Sequence, residues 1–193
     1  MLNGTLLATA LPSIMRSFHI STATAEWLST AFLLVNGVMI PISAWLINRF
    51  GSRKMYLSAM SVFFIGTVIA AIAPNFGTLL AGRIIQGLGV GVTMPLLQTI
   101  MLSIFPANKR GAAMGTVGIV IGLAPAIGPT LSGWIVDNLS WRYLFSIIAP
   151  IAGVVIILAF FLIKDVLPTK KEKIDILSVT TSTVGFGSLL YGF

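Results

Sequence analysis

Cysteine is absent from this 193-residue chain, and histidine occurs once, as His19. Disulfide frameworks, thiol catalysis and thiolate metal sites are thereby excluded. The 5 carboxylates are too few and too scattered for a zinc or di-iron centre, and His19 reads as a solvated loop residue. Charge as a whole is scarce. The 12 Lys and Arg with 5 Asp and Glu make 9% of the chain, against about 25% in a water-soluble domain. So few charges cannot wet the surface of a chain that is 56% hydrophobic. Lipid must therefore be the solvent around most of it. A net charge of +7 invites a nucleic-acid reading. The basic residues, however, sit in short gaps between apolar runs and form no stripe on a soluble face, so no nucleic acid is expected as a partner.

What the chain does have is long apolar runs. Complete spans are read at Trp27–Ile47, Met55–Ala73, Phe76–Phe105, Ala112–Val136 and Tyr143–Ile163. Each runs about 20–30 residues, enough to cross about 30 Å of hydrocarbon. Polar or turn residues separate them at Asn48–Lys54, Pro74–Asn75, Pro106–Gly111 and Asp137–Arg142. Met1 to Met15 is apolar but short of about 20 residues, with no basic leader or cleavage site. It reads as the back end of helix 1. Ile176 to Phe193 is apolar as well and reads as the start of helix 7. The expected fold class is an all-α membrane bundle. Residues 1–163 form six helices, 164–175 a charged linker, and 176–193 the opening of the seventh.

The basic residues orient the bundle. Arg49, Arg53, Lys54, Lys109, Arg110, Lys164, Lys170, Lys171 and Lys173 fall on one side, and Arg16 and Arg142 on the other. The richer side is expected to be cytoplasmic, so the protein is a multi-pass cell-membrane protein with the Arg49–Lys54 loop inside. Trp27, Trp45, Trp134, Trp141 and Tyr143 lie near span ends, where aromatic belts sit.

Helices 4 and 5 carry the functional signal. On a wheel of about 100° per residue, Gly111, Gly115, Gly118, Gly122, Pro125, Pro129 and Gly133 fall within about 80° of helix 5. Such a side-chain-free stripe permits close helix–helix approach in lipid, and Pro125 and Pro129 add kinks. A tight static contact is one reading. A face on which two helices slide or rock is the other. In helix 4, Arg83 stands inside an apolar span at a cost of about 2.5–3.5 kcal/mol, so it needs a partner, a water-filled cavity or a snorkelling route to the outer interface. Gly87, Val90, Met94, Gln98 and Met101 share its face and Gln86 lies beside it, which favours the cavity. Gly87-Leu88-Gly89-Val90-Gly91 imitates a dinucleotide loop but has no preceding strand and is set aside. The loop Asn48-Arg49-Phe50-Gly51-Ser52-Arg53-Lys54 reads as a topology signal, or as a latch whose arginines dock onto helix ends and acids.

Taken together, these motifs resemble those of the major facilitator superfamily, specifically its fourteen-helix drug:proton antiporter branch. Ala44 to Arg53, with Asn48, Arg49, Gly51 and Arg53, is similar to the family's loop 2–3 motif. Leu80 to Gly87 is similar to its helix 4 motif. Gly118 through Gly122, Pro125, Gly128-Pro129 and Gly133 are similar to its helix 5 antiporter motif. Ser140 to Phe145 resembles the segment opening helix 6, and Leu2-Asn3-Gly4-Thr5 to Pro12 the branch's helix 1 motif. The sequence departs from the pattern at Asn3, where many relatives carry aspartate, and at Asn48 and Ala44, which replace an aspartate and a glycine of the loop motif.

The resemblance implies two inverted three-helix repeats, helices 1–3 and 4–6, completed by a carboxy-terminal half that this chain lacks. It implies export of small amphipathic or cationic molecules in exchange for protons. Arg83, Asn3 and Glu26 would serve coupling, and Gln86, Met94 and Gln98 would line the cavity. With Asn3 neutral, the proton-binding group has to lie elsewhere. No enzyme activity and no cofactor is expected, the proton being the coupling ion, and the partners are the bilayer and a small-molecule substrate. A facilitator or solute:proton symporter of the same fold should lack the helix 5 stripe. An integral membrane enzyme should gather His, Asp, Glu or Cys at one face, and no such cluster is visible.

Overall fold

In lipid a backbone must satisfy its own polar groups, so each apolar run becomes one helix. A computed structural model describes residues 2–163, Asp165 and positions 180, 181, 184, 185 and 188, with side chains from Thr5 onward. The helices are α1 Leu2–Phe18, α2 Thr22–Phe50, α3 Ser52–Ala71, α4 Phe76–Ile104, α5 Ala107–Asn138 and α6 Arg142–Leu162. The expected linker and helix 7 fall almost entirely outside the described residues. Helices α2 to α6 are each long and apolar enough to cross a membrane.

The ends are set by local chemistry. His19, at φ 53°, takes the left-handed conformation just past α1, which favours termination there. It is exposed, as a loop residue should be. Ser21 caps α2 by accepting the Thr24 N–H at 3.2 Å. Asn75 caps α4 by accepting the Thr78 N–H at 2.9 Å. Pro106 precedes α5, where its missing N–H costs nothing.

The expected loop Asn48–Lys54 is mostly helix. Helix α2 runs through Phe50, α3 begins at Ser52, and Gly51 alone separates them at φ 82°, ψ 163°. That backbone conformation is open to glycine and strained for other residues. The helix outlasts the apolar run because charged residues beyond the hydrocarbon edge are good helix formers.

The packing has a two-fold pattern. Helix α1 lies against α5 as α4 lies against α2, and α3 meets α6. These three pairings are those of two inverted three-helix repeats, α1–α3 and α4–α6, while the extensive α3–α4 packing has no equal between α6 and α1. A larger apolar cluster near the His19 end gathers Leu7, Ile14, Leu28, Leu79, Trp141 and Phe145. A smaller one near the Gly51 end holds Ile47, Met55, Ala59, Val92 and Leu96. On α6 the exposed residues Ile147, Ile151, Val154, Leu158 and Phe161 recur at helical spacing, as a lipid-facing stripe does. Trp27, Trp134 and Tyr143 are exposed. Trp141 is buried, its indole N–H donating to Ser17 Oγ at 3.1 Å. It is a core residue of the α1–α6 contact, which corrects its placement in an interfacial belt.

Candidate functional site

The site is built on α4, because glycine lets that helix sink between two others. A Cβ on Gly82 would come 2.9 Å from Gly66 O and 3.0 Å from Ala70 N of α3. A Cβ on Gly87 would come 3.0 Å from Phe32 O of α2. Gly89 meets Ala59 and Phe63 of α3, and Gly91 meets Asn36 and Met39 of α2. The Gly87–Gly91 run is thus packing glycine on two faces of one helix.

This close approach encloses Arg83. It is 1% exposed, so it neither snorkels nor faces an open cavity. Three groups compensate its burial. Its Nε donates to Leu28 O at 3.3 Å, its Nη1 donates to Gln86 Oε1 at 2.9 Å, and its guanidinium carbon lies 4.2 Å from the centroid of the Phe32 ring. Gln86 is fully buried and passes the connection on, donating through Nε2 to Thr67 Oγ1 at 2.8 Å. Thr67 in turn donates to Phe63 O at 2.7 Å. The chain Arg83–Gln86–Thr67 therefore ties α4 to α2 and α3. Among the described residues no carboxylate pairs with Arg83. Its positive charge is solvated by carbonyl dipoles, an amide and a π face, the pattern expected where a charge must be buried without an ion pair.

The other expected residues do not converge on this centre. Gln86 is fully buried and pinned between helices. Met94 is half-buried and Gln98 exposed, about 12 and 18 Å farther along α4 than Gln86 at the helical rise. Glu26 is exposed near the start of α2. The side chain of Asn3 lies outside the described set. A cleft of about 380 Å³ opens where α4 meets α5, lined by Met101, Phe105, Lys109, Ala112, Ala113, Thr116 and Val117. None of the expected cavity residues reaches it.

On α5 the stripe has two parts. A Cβ on Gly111, Gly115, Gly118, Gly122 or Gly133 would meet nothing within 4 Å. Pro125 and Pro129 are exposed as well. Gly128 lies off the stripe and packs on Thr5 of α1. One turn later Ser132 bonds to Thr9 and donates to Leu6 O at 2.7 Å. One face of α5 is thus fastened to α1, and among the described residues nothing covers the glycine face.

At the Gly51 junction Asn48 and Arg49 are exposed, with the Arg49 guanidinium 5.3 Å from the Trp45 ring. Arg53 turns to α6, donating through Nη2 to Phe160 O at 2.7 Å. Sequence reasoning missed Leu28, Phe32, Thr67 and Asp165. A threonine in an apolar span carries no signal of its own, and Asp165 is masked by the charges around it.

A six-helix bundle with inverted repeats, lipid-facing stripes and a buried unpaired arginine has the architecture of a membrane transporter bundle. The chain belongs to the Major Facilitator Superfamily, whose profile matches residues 1–191. It is 59% identical over 192 residues to the MFS-type transporter YcnB of Bacillus subtilis, covering 100% of this chain and 41% of YcnB. It is 44% identical over 193 residues to the lincomycin resistance protein LmrB of the same organism, covering 100% of this chain and 40% of LmrB. The multidrug export protein EmrB of Haemophilus influenzae is 34% identical over 159 residues, 82% of this chain and 31% of EmrB. The chain thus spans well under half the length of these curated relatives. The human organic anion transporter MFSD10 shares the fold, with a TM-score of 0.73 at 18% identity, covering 94% of this chain and 49% of that one.

Proposed function

We propose that this chain is the amino-terminal half of a proton-coupled exporter of small amphipathic or cationic organic compounds, of the fourteen-helix drug:proton antiporter branch. The observation that carries the reading is the uncovered Gly/Pro face of α5. A smooth helical face without neighbours among the described residues suits contact with a second helical bundle that moves against it. The likeness to LmrB and EmrB supports drug-like substrates. The nine-to-two asymmetry of basic residues supports a cytoplasmic Gly51 junction in the cell membrane. Arg83, being permanently charged, would favour deprotonation of a carboxylate brought near it without itself carrying the proton. With neutral Asn3 in helix 1, that carboxylate belongs to the other half.

The test uses the full-length transporter in vesicles, with drug accumulation driven by an imposed proton gradient. The parent should accumulate drug and lose it with a protonophore. Gly122→Leu should insert normally yet lose transport, while Ile121→Leu keeps it. Native-rate transport by Gly122→Leu would remove the moving contact from the reading. Accumulation indifferent to the gradient would favour a facilitator of the same fold.

A further inference from the structure

Helices α3 and α6 are fastened in the same way at both ends. Arg53, the second residue of α3, donates to Phe160 O near the end of α6 and lies 5.4 Å from the Phe160 ring. Arg142, the first residue of α6, donates through Nη2 to Ala73 O just past α3, at 2.9 Å, and lies 4.5 Å from the Trp141 ring. The helices are antiparallel, so each supplies from its first turn a cation for the carbonyl end of the other. Cations at that end are favoured by the helix dipole.

The two amino-terminal caps differ. For α6, Ser140 sits just upstream and its Oγ accepts the Arg142 N–H at 3.4 Å. For α3 the cap position is Gly51, which has no side chain to offer. Its φ of 82° also excludes Ser or Asp there without strain. The Arg53 N–H is accepted instead by Asp165 Oδ1 at 2.9 Å, and Ser52 Oγ donates to the same oxygen at 3.4 Å. Asp165 follows the end of α6 by three residues.

We propose that Asp165 is a positioning residue that caps α3 from outside. It thereby fixes the point where the chain leaves the six-helix bundle and holds Arg53 on α6. The contact is a permanent staple within one half and does not open during the cycle. Arg53 Nε is buried without an acceptor, so the side chain grips α6 through Nη2 and the Phe160 ring alone, and Asp165 adds a hold on the backbone of the same residue. The role in transport rests on the export reading above, whereas the staple itself does not.

The experiment takes the full-length protein in native membranes with Ser52→Cys and Asp165→Cys, in a segment that has no other cysteine. Because Ser52 is buried and its Oγ lies 3.4 Å from Asp165 Oδ1, a small membrane-permeant oxidant should join the two thiols directly as a disulfide, with or without drug and gradient. Before cross-linking, export should fall about fivefold, which corresponds to ~1 kcal/mol, the usual worth of a helix cap. After cross-linking it should return to within about twofold of the parent. Asp165→Asn, which keeps an acceptor oxygen, should export better than Asp165→Ala. Failure to cross-link, arrest of export by the cross-link, or parental export by Asp165→Ala would each overturn the proposal. A parent that exports nothing would sink the export reading alone. Cross-linking yield, and an Asp165→Asn melting temperature above that of Asp165→Ala, would still decide the staple.

Discussion

Gly66→Ala asks how closely α3 and α4 are held. A Cβ at position 66 would stand 2.7 Å from both Gln86 N and Gly82 O, and 3.0 Å from Gln86 Cγ. Two of these are backbone atoms of the facing helix and cannot swing aside. Restoring an ordinary separation of about 3.5 Å means parting the helices by roughly 0.5–0.8 Å, and a gap of that size forfeits a quarter to a half of each dispersion contact. Overpacking of this kind costs about 1–3 kcal/mol. The same displacement stretches the 2.8 Å Gln86–Thr67 hydrogen bond, adding about 0.5–1.5 kcal/mol. The expected loss is therefore about 2–4 kcal/mol, read as a lowered midpoint of unfolding in a detergent titration followed by tryptophan fluorescence. Gly153→Ala is the control. Its Cβ would lie 3.6 Å from Phe64 Cε2, an ordinary contact, and alanine is favoured over glycine in a helix by about 0.8–1.0 kcal/mol. It should match or exceed the parent. A Gly66→Ala protein as stable as the parent, or a Gly153→Ala protein equally weakened, would refute the reasoning.

Two further outcomes are expected. Arg83→Ala removes both hydrogen bonds and the Phe32 contact, so it should lower stability by about 2–4 kcal/mol and abolish export against a gradient; Arg83→Lys should retain part of both, and full export by Arg83→Ala would reduce the residue to packing. For orientation, a cysteine at exposed Asn48 should resist an impermeant label on intact cells while one at exposed Ser21 reacts, and the reverse pattern would invert the topology; Ser52, being buried, is unsuitable as a reporter.

Hydropathy marked all five spans because a bilayer demands about 20 apolar residues in sequence, a local property. It misplaced their ends, since α2 continues through Asn48, Arg49 and Phe50 and α5 begins at Ala107. The helical backbone does not stop where the apolar run does. Arg83 announced itself by its rarity in an apolar span, but its surroundings did not. Leu28 O is 55 residues away and Thr67 lies 19 residues from Gln86, so only the packing of three helices reveals them. Gln98 was grouped with Arg83 because a wheel projects the whole helix onto one circle and discards height. Trp141 was read from its place at a span end, whereas its partner Ser17 is 124 residues distant.

The unneutralised charge of Arg83 has an electrical consequence. It sits about 10 Å along α4 from Phe76 at the helical rise, inside the region across which a membrane potential falls. Each elementary charge moved through the full field is worth about 2.3 kcal/mol per 100 mV. Any tilt of α4 that shifted Arg83 through a tenth of the full field, about 3 Å, would change the relative energy of two conformations by about 0.2 kcal/mol per 100 mV. A conformational change that carried Arg83 along the field would therefore gain a voltage dependence of its own, even with nothing bound.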